Sequence, residues 1–177
     1  EFAMQILFRL DTSIKVGSGH LMRCLTLANE ARSRGWQSSF AMRDPSSNII
    51  DKVRAAGHKL HLLFKIDENK RFQKNELAHS DWLAVSQETD AIETSNLIEK
   101  INPDWLIVDH YAIDVEWHTA IKKTGKKILV IDDLADRVLN CDILINQNLG
   151  FSAKDYIGKV NVDTEVLLGP RYALLRP

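Results

Sequence analysis

The chain has 177 residues, 45% of them hydrophobic and 27% charged, a length and balance that fit one folded domain with a substantial core. Lysine and arginine total 23 against 24 acidic residues, a net charge of −1, so bulk charge gives no pull toward nucleic acid or an anionic membrane. No apolar run nears the ~20 residues that span a bilayer. Glu1-Phe2-Ala3 ahead of Met4 reads as a cloning scar and not as a signal peptide, and a cytoplasmic location is expected. Cys24 and Cys141 form no Cys-x-x-Cys pair and are expected to be reduced, buried thiols, with a disulfide as the alternative.

Gln5 to Leu10 is a short apolar run that fits a buried strand. After Asp11-Thr12-Ser13 comes a turn at Gly17-Ser18-Gly19, and from His20 to Arg34 the apolar residues recur at helical spacing until Gly35. The opening unit is therefore strand, glycine loop, helix. A second strand is expected over Ser38 to Met42, a helix over Asn48 to Ala56 closed by Gly57, and a third strand over His58 to Leu63. Lys65 to Ser80 is polar, without a convincing period, and reads as a surface excursion. Helical periodicity returns from Glu88 to Ile101. Strands are expected at Trp105 to Val108, Ile128 to Ile131, Cys141 to Ile145 and Val166 to Leu168, with a helix over Val115 to Thr124. Strands alternating with helices predict a doubly wound α/β domain, a parallel sheet covered on both faces.

Polar clusters fall just after several strands: Asp11, then Asp109-His110-Tyr111, Asp132-Asp133 and Asn146-Gln147-Asn148. Ligands of open parallel sheets bind at the carboxyl ends of the strands, so this edge holds the candidate chemistry. The glycine turn suits an anion, because N–H groups at a helix start are exposed. It lacks the third glycine of a dinucleotide fingerprint, since Met22 stands there, and the Gly-Lys-Ser/Thr of a Walker loop. No cofactor is expected.

At the helix start stands His20, a residue type suited to activating water near neutral pH; the bland reading is a histidine that packs the turn. Asp11 is a candidate to orient that ring, or an ordinary turn aspartate. Arg23, one turn on, suits a phosphate or a sugar hydroxyl, or else solvent. Asp109, His110 and Tyr111 fit a grip on sugar hydroxyls, or a cap for the next helix. Of Asp132 and Asp133 one is expected to be structural, since neighbours point apart; Asp132 is taken as the site residue, and a divalent metal there stays open although no zinc-type spacing occurs. Asn146 and Asn148 are expected to reach one face together, with Gln147 facing away, although fastening an irregular loop would account for them as well. His58, His61, His79, His118 and the four tryptophans read as surface or packing residues.

Taken together, Phe8-Arg9, Asp11, Ser13, Gly17, Gly19-His20 and Arg23-Cys24 resemble the opening signature of the UDP-2,4-diacetamido-2,4,6-trideoxy-β-L-altropyranose hydrolases of pseudaminic acid biosynthesis. Asp104 to Tyr111 with Asp114 and Trp117 is similar to their middle motif, and Ile131 to Arg137 with Cys141-Asp142 and Asn146-Gln147-Asn148 to the third. Gly169 to Arg176 resembles the end of their first domain. The resemblance implies a Rossmann-like domain, residues 4–177, forming the N-terminal half of a glycosyltransferase-B-type fold. The nucleotide-binding C-terminal half is expected to be missing as a partner, leaving the isolated domain weakly active at best.

It also implies that His20 deprotonates a water that attacks the anomeric carbon of a UDP-linked diacetamido sugar, releasing UDP with inversion. Arg9, Asp11, Gly17, Ser18, Gly19 and Arg23 would line the substrate from the first motif. Asp109, His110, Tyr111, Asp132, Asn146 and Asn148 would do so from the later ones. Two other functions stay open: the acceptor domain of a UDP-sugar glycosyltransferase, and a non-catalytic nucleotide-sugar-binding domain.

Overall fold

The computed structural model describes residues 3–65 and 77–175. Among these residues strands and helices alternate in the order β1 (Gln5–Leu10), α1 (Gly19–Ser33), β2 (Gln37–Arg43), α2 (Ser47–Ala55), β3 (Lys59–Leu63), α3 (Gln87–Ile101), β4 (Trp105–Asp109), α4 (Val115–Lys122), β5 (Lys127–Ile131), β6 (Ile143–Asn146) and β7 (Glu165–Leu168). Each element expected from the sequence is present. The largest shifts are at β6, which starts at Ile143 and not Cys141, and at α4, which stops at Lys122. Most of the stretch read as a surface excursion, 66–76, lies outside the described residues.

All seven strands are parallel, in the order β3-β2-β1-β4-β5-β6-β7. The chain steps outward from β1 to β3, then returns to place β4 on the free side of β1. Right-handed crossovers then put α1 and α2 on one face of the sheet and α3 and α4 on the other.

The two cores record this division. Ile6, Phe8, Phe40 and Ile107 pack under α1 and α2 against Leu21, Cys24, Leu25 and Val53. Leu7, Leu106, Val108, Ile128 and Val130 pack against Ala91, Ile98, Trp117 and Ile121 of α3 and α4. Successive strand residues alternate between the two, as the period of two requires. Cys24 and Cys141, both buried and free, fall in different clusters. Over β5 to β7 the α1 side carries no helix among the described residues. Beside this stretch, Leu27 of α1 with Ile6, Trp105, Leu129 and Ile143 of β1, β4, β5 and β6 lines an open apolar groove of about 410 Å³. Among the described residues no helix is long and apolar enough to cross a membrane.

One turn is held closed by a glycine. Gly57 follows α2 with φ of 82°, and a Cβ on it would lie 2.1 Å from Nη1 of Arg32. That nitrogen donates to the Ala56 carbonyl at 2.7 Å, tying α1 to the end of α2.

A charged network sits inside the α3 side. Arg9, fully buried, donates to Asp90 at 3.0 and 2.6 Å and to both Asp11 oxygens at 2.8 and 2.9 Å. Asp90 also accepts from Arg43 at 2.9 Å and from the Trp117 indole at 2.9 Å. Burial would push the Asp90 carboxyl up, but Arg9 and Arg43 hold it well below the usual carboxylate range. The expected contact of Arg9 with substrate is therefore corrected: its guanidinium is consumed in joining β1, α3 and the loop after β1.

Two stability predictions follow from this interior. Asp90→Ala removes the buried carboxylate that Arg9 and Arg43 share, leaving Arg9 paired with Asp11 and Arg43 with Glu93, and should cost about 3 kcal/mol in urea unfolding. The second concerns acid. His118 is fully buried; burial first, then Arg137 and Lys122, pull its pKa down to about 3. Its neutral form accepts from the Asn140 N–H at 3.2 Å. Because the folded value is depressed, its contribution is intact above the unfolded pKa of about 6.5 and is lost as pH falls toward the folded value. His118→Leu should flatten the acid limb of stability by about 1.4 kcal/mol per pH unit between roughly pH 6 and 4, whatever it costs at neutral pH.

Candidate active site

The strand order reverses between β1 and β4, and a crevice for ligand opens at the carboxyl ends of the strands at such a switch point. His20 opens α1 just after β1, and Asp109 ends β4. The two side chains meet across the crevice: His20 Nδ1 is hydrogen-bonded to Asp109 Oδ1. Arg23, one turn along α1, donates its Nε to Asp109 Oδ2 at 2.5 Å and its Nη2 to Oδ1 at 2.6 Å. Burial would push the Asp109 carboxyl up, but the bonds from Arg23 and His20 outweigh it and hold it below its ordinary value.

An ionised carboxylate only accepts, so His20 Nδ1 carries a proton, and in the neutral ring Nε2 holds the lone pair. Nε2 has no protein partner among the described residues. It is also absent from the buried polar atoms that are both sealed and unpaired, so it keeps contact with solvent. His20 is 6% exposed, enough for that one edge. The ring lines an open pocket of about 370 Å³ with Gly19, Arg23, Tyr111, Gln147 and Leu174.

The remaining wall is built from the strand ends. Arg23 Nη1 pairs with Asp133 at 2.7 Å. Asp133 also accepts from the Tyr111 hydroxyl and, at 2.7 Å, from the Asn148 amide. The Tyr111 ring meets the His20 ring edge-on, centroids 4.6 Å apart; burial, then Asp133, push its hydroxyl pKa up. On the rim, Gly17 takes φ of 76° and donates to the Ser13 carbonyl at 2.8 Å. Ser18, the N-cap of α1, makes no side-chain cap, and Gly17, Ser18 and Gly19 are exposed. The start of α1 is thus reached through an exposed loop, and a helix start is a place that favours anions.

Several expectations change here, for one reason. Side chains of β1 with even numbers point to α1, while Arg9 and Asp11 point to α3. Asp11 accordingly accepts from Arg9 and from His110 Nε2 at 2.9 Å, and does not orient His20. His110 is buried on the same far side, its Nδ1 accepting from the Ala112 N–H at 3.1 Å; burial lowers its pKa.

The same parity separates Asp132 from Asp133. Asp132 is fully buried and accepts from Arg137 at 2.8 Å, Tyr156 at 2.7 Å and the Ala135 N–H at 2.9 Å. Its neighbour Asp133 is the one on the crevice. Asn146 is likewise sealed, donating to Tyr156 at 2.9 Å and accepting from Asn148. Gln147, expected to face away, lines the pocket and accepts from the Leu174 N–H at 2.8 Å. Asp109, Tyr111, Asp133 and Gln147 are all odd-numbered continuations of strand residues that face α1. Among the described residues no three of His, Cys, Asp and Glu are grouped to hold a metal.

Over 98% of its length the chain is 34% identical to the UDP-2,4-diacetamido-2,4,6-trideoxy-beta-L-altropyranose hydrolase of Campylobacter jejuni subsp. jejuni serotype O:2. The chain is a relative of that hydrolase. This bears out the resemblance carried by the motifs, and the chain spans about half, 52%, of the hydrolase's length. No protein-family model matches the chain. Among solved structures, a glycosyltransferase from Rickettsia africae ESF-5 superposes with a TM-score of 0.57 at 12% identity, over 94% of this chain and 43% of that one. Phytolacca americana UGT2, complexed with UDP-2fluoro-glucose and pterostilbene, gives 0.56 at 15% identity, over 75% and 31%. At these identities the likeness concerns the fold, which is the Rossmann-like α/β fold of glycosyltransferase-B structures.

The geometry sets a tautomer that can be measured in the chain as it stands. Long-range nitrogen–proton correlation spectra should show neutral His20 protonated at Nδ1. A spectrum with the proton on Nε2 would contradict the assigned pairing with Asp109.

Proposed function

We propose that this chain supplies the catalytic base of a UDP-sugar hydrolase, and that the base is His20. The observation that carries the reading is the solvent-facing Nε2 of an imidazole whose Nδ1 is committed to a buried aspartate, at the sheet's switch point. Nε2 takes a proton from a water as the water's oxygen bonds to the anomeric carbon. The bond from that carbon to the diphosphate oxygen breaks, and its electron pair leaves with UDP. Attack opposite the leaving group inverts the anomeric centre. Asp109 fixes the ring's tautomer and stabilises the imidazolium that forms. Arg23 keeps Asp109 ionised, and the helix start behind the exposed glycine loop suits the leaving diphosphate.

The substrate class comes from the relative, whose name specifies a UDP-linked 2,4-diacetamido-2,4,6-trideoxy sugar; the product would feed pseudaminic acid synthesis. The relative is nearly twice as long as the matched region. We assign most of the UDP contact to the half this chain does not match, consistent with a pocket here that offers a base and a rim but little surface for a base and ribose. The domain bounds 4–177 and a cytoplasmic location belong to the same proposal.

Turnover of the UDP-sugar in oxygen-18 water, by this chain joined to such a second half, tests it. Label should appear in the sugar and none in UDP, with no acceptor alcohol added, and His20→Ala should lower kcat by about 10²–10⁴-fold. Label in the nucleotide would mean attack at phosphorus. A requirement for an added alcohol would favour a transferase, and tight binding without turnover a non-catalytic domain.

A further inference from the structure

A wall of the crevice comes from residues that neither the motifs nor the relatives assign. Ser80–Trp82 forms a single 3-10 turn ahead of α3. The chain just after the turn is anchored twice: Leu83, 1% exposed, plugs the core beneath the sheet, and the Ser86 hydroxyl caps α3 by accepting from the Thr89 N–H at 3.0 Å. Between them Ala84 takes φ of 66°, a left-handed conformation that a residue with a Cβ adopts only when its surroundings enforce it. Anchored so, the turn lays the half-buried Trp82 indole along the Tyr111 ring, centroids 5.6 Å apart and planes 28° from parallel. His79 packs on both, 4.4 Å from Trp82 and 5.7 Å from Tyr111. Lys15 of the glycine loop reaches Asp81 at 3.4 Å, an exposed pair of small worth.

What the indole contributes follows from how the two other rings are held. Tyr111 is fixed at its backbone and at its hydroxyl, by Asp133. A phenol held at those two ends still rotates about the axis joining them, and only a contact on its face stops the rotation. His20 is fixed at its backbone and at Nδ1, by Asp109, and its ring meets the Tyr111 ring edge-on. The direction of the Nε2 lone pair therefore depends on Tyr111, whose plane is set by Trp82 lying near-parallel to it, with His79 5.7 Å and the Arg137 guanidinium 6.0 Å away.

We propose that Trp82 is a positioning residue of this site: through Tyr111 it fixes the plane of the His20 imidazole and so aims the base. The inference rests on the reading of His20 given above. Misplacing a reacting group by about 1 Å can cost on the order of 10²-fold in rate, so the expected loss lies in kcat and not in substrate affinity.

The test compares Trp82→Ala with Trp82→Phe, each first shown to unfold cooperatively. In the 177-residue chain, without any turnover, the His20 Nδ1–H proton held by Asp109 should give a sharp resonance in the parent and in Trp82→Phe. In Trp82→Ala it should be broadened or lost to solvent exchange. In the hydrolysis assay, Trp82→Ala should lower kcat at least tenfold with KM within about twofold, and Trp82→Phe should restore most of it. A sharp His20 resonance in a folded Trp82→Ala protein overturns the proposal, as does a loss confined to KM. Should His20→Ala keep full activity, the function assigned to His20 fails, while the resonance still decides whether Trp82 orders its ring.

Discussion

Asp109 is the side chain at which the two halves of the sheet are tied together. It ends β4 on one side of the switch point, and both of its oxygens are taken by α1, which follows β1 on the other. A carboxylate 1% exposed would be costly alone, and the guanidinium of Arg23 with its fork geometry offsets that cost. The same bonds decide the chemistry. A carboxylate with two guanidinium hydrogens stays ionised, an ionised carboxylate takes the Nδ1 proton of His20, and in the neutral ring that leaves Nε2 as the basic imidazole nitrogen.

Behind this pair lies a second set of charges that serves the fold instead. Arg9, Asp11, Asp90, Arg43 and His110 form one connected network on the α3 side of the sheet, each buried. It joins β1, β2, α3 and the loops after β1 and β4 beneath the site floor. Two aspartate–histidine pairs thus stand back to back across the sheet, His20 with Asp109 and His110 with Asp11. They differ in what the second ring nitrogen does. In His110 it accepts from a backbone N–H and is sealed; in His20 it is open to the pocket. Only one of the two can act on a ligand.

That contrast also explains which parts of the site were legible in the sequence. The alternation of apolar strands and helices is a dense signal, and it marked each element to within a few residues. His20 and the glycine loop stood out because loop position and residue type coincide. The strand-end clusters were harder. Asp109-His110-Tyr111, Asp132-Asp133 and Asn146-Gln147-Asn148 each extend a strand's period of two, so their members go to opposite faces. Local sequence shows that they part but not which face α1 covers, since that follows from the crossovers. Once Ile107 and Ile131 are known to pack under α1, counting on by two selects Asp109, Tyr111 and Asp133 and rejects His110 and Asp132. Trp82 had no such marker, because it reaches the site from a short turn that belongs to no periodic element.

The pocket itself argues for a divided labour. His20 and the side chains around it come from the start of α1, the end of β4 and the loop after it, the loop after β5 and the turn ahead of α3, and they are held by one another. The rim opposite them consists of the exposed glycine loop and of Gln147 with Leu174, at the end of the described chain. Such a surface can aim a proton acceptor and meet a diphosphate, but it encloses no more than part of a nucleotide sugar. In the proposed reaction, binding energy spent on the nucleotide would bring the sugar carbon to rest against His20. Under the proposed function, a domain that is rigid at His20 and open along the glycine loop would be what a two-part site asks of its base-bearing side.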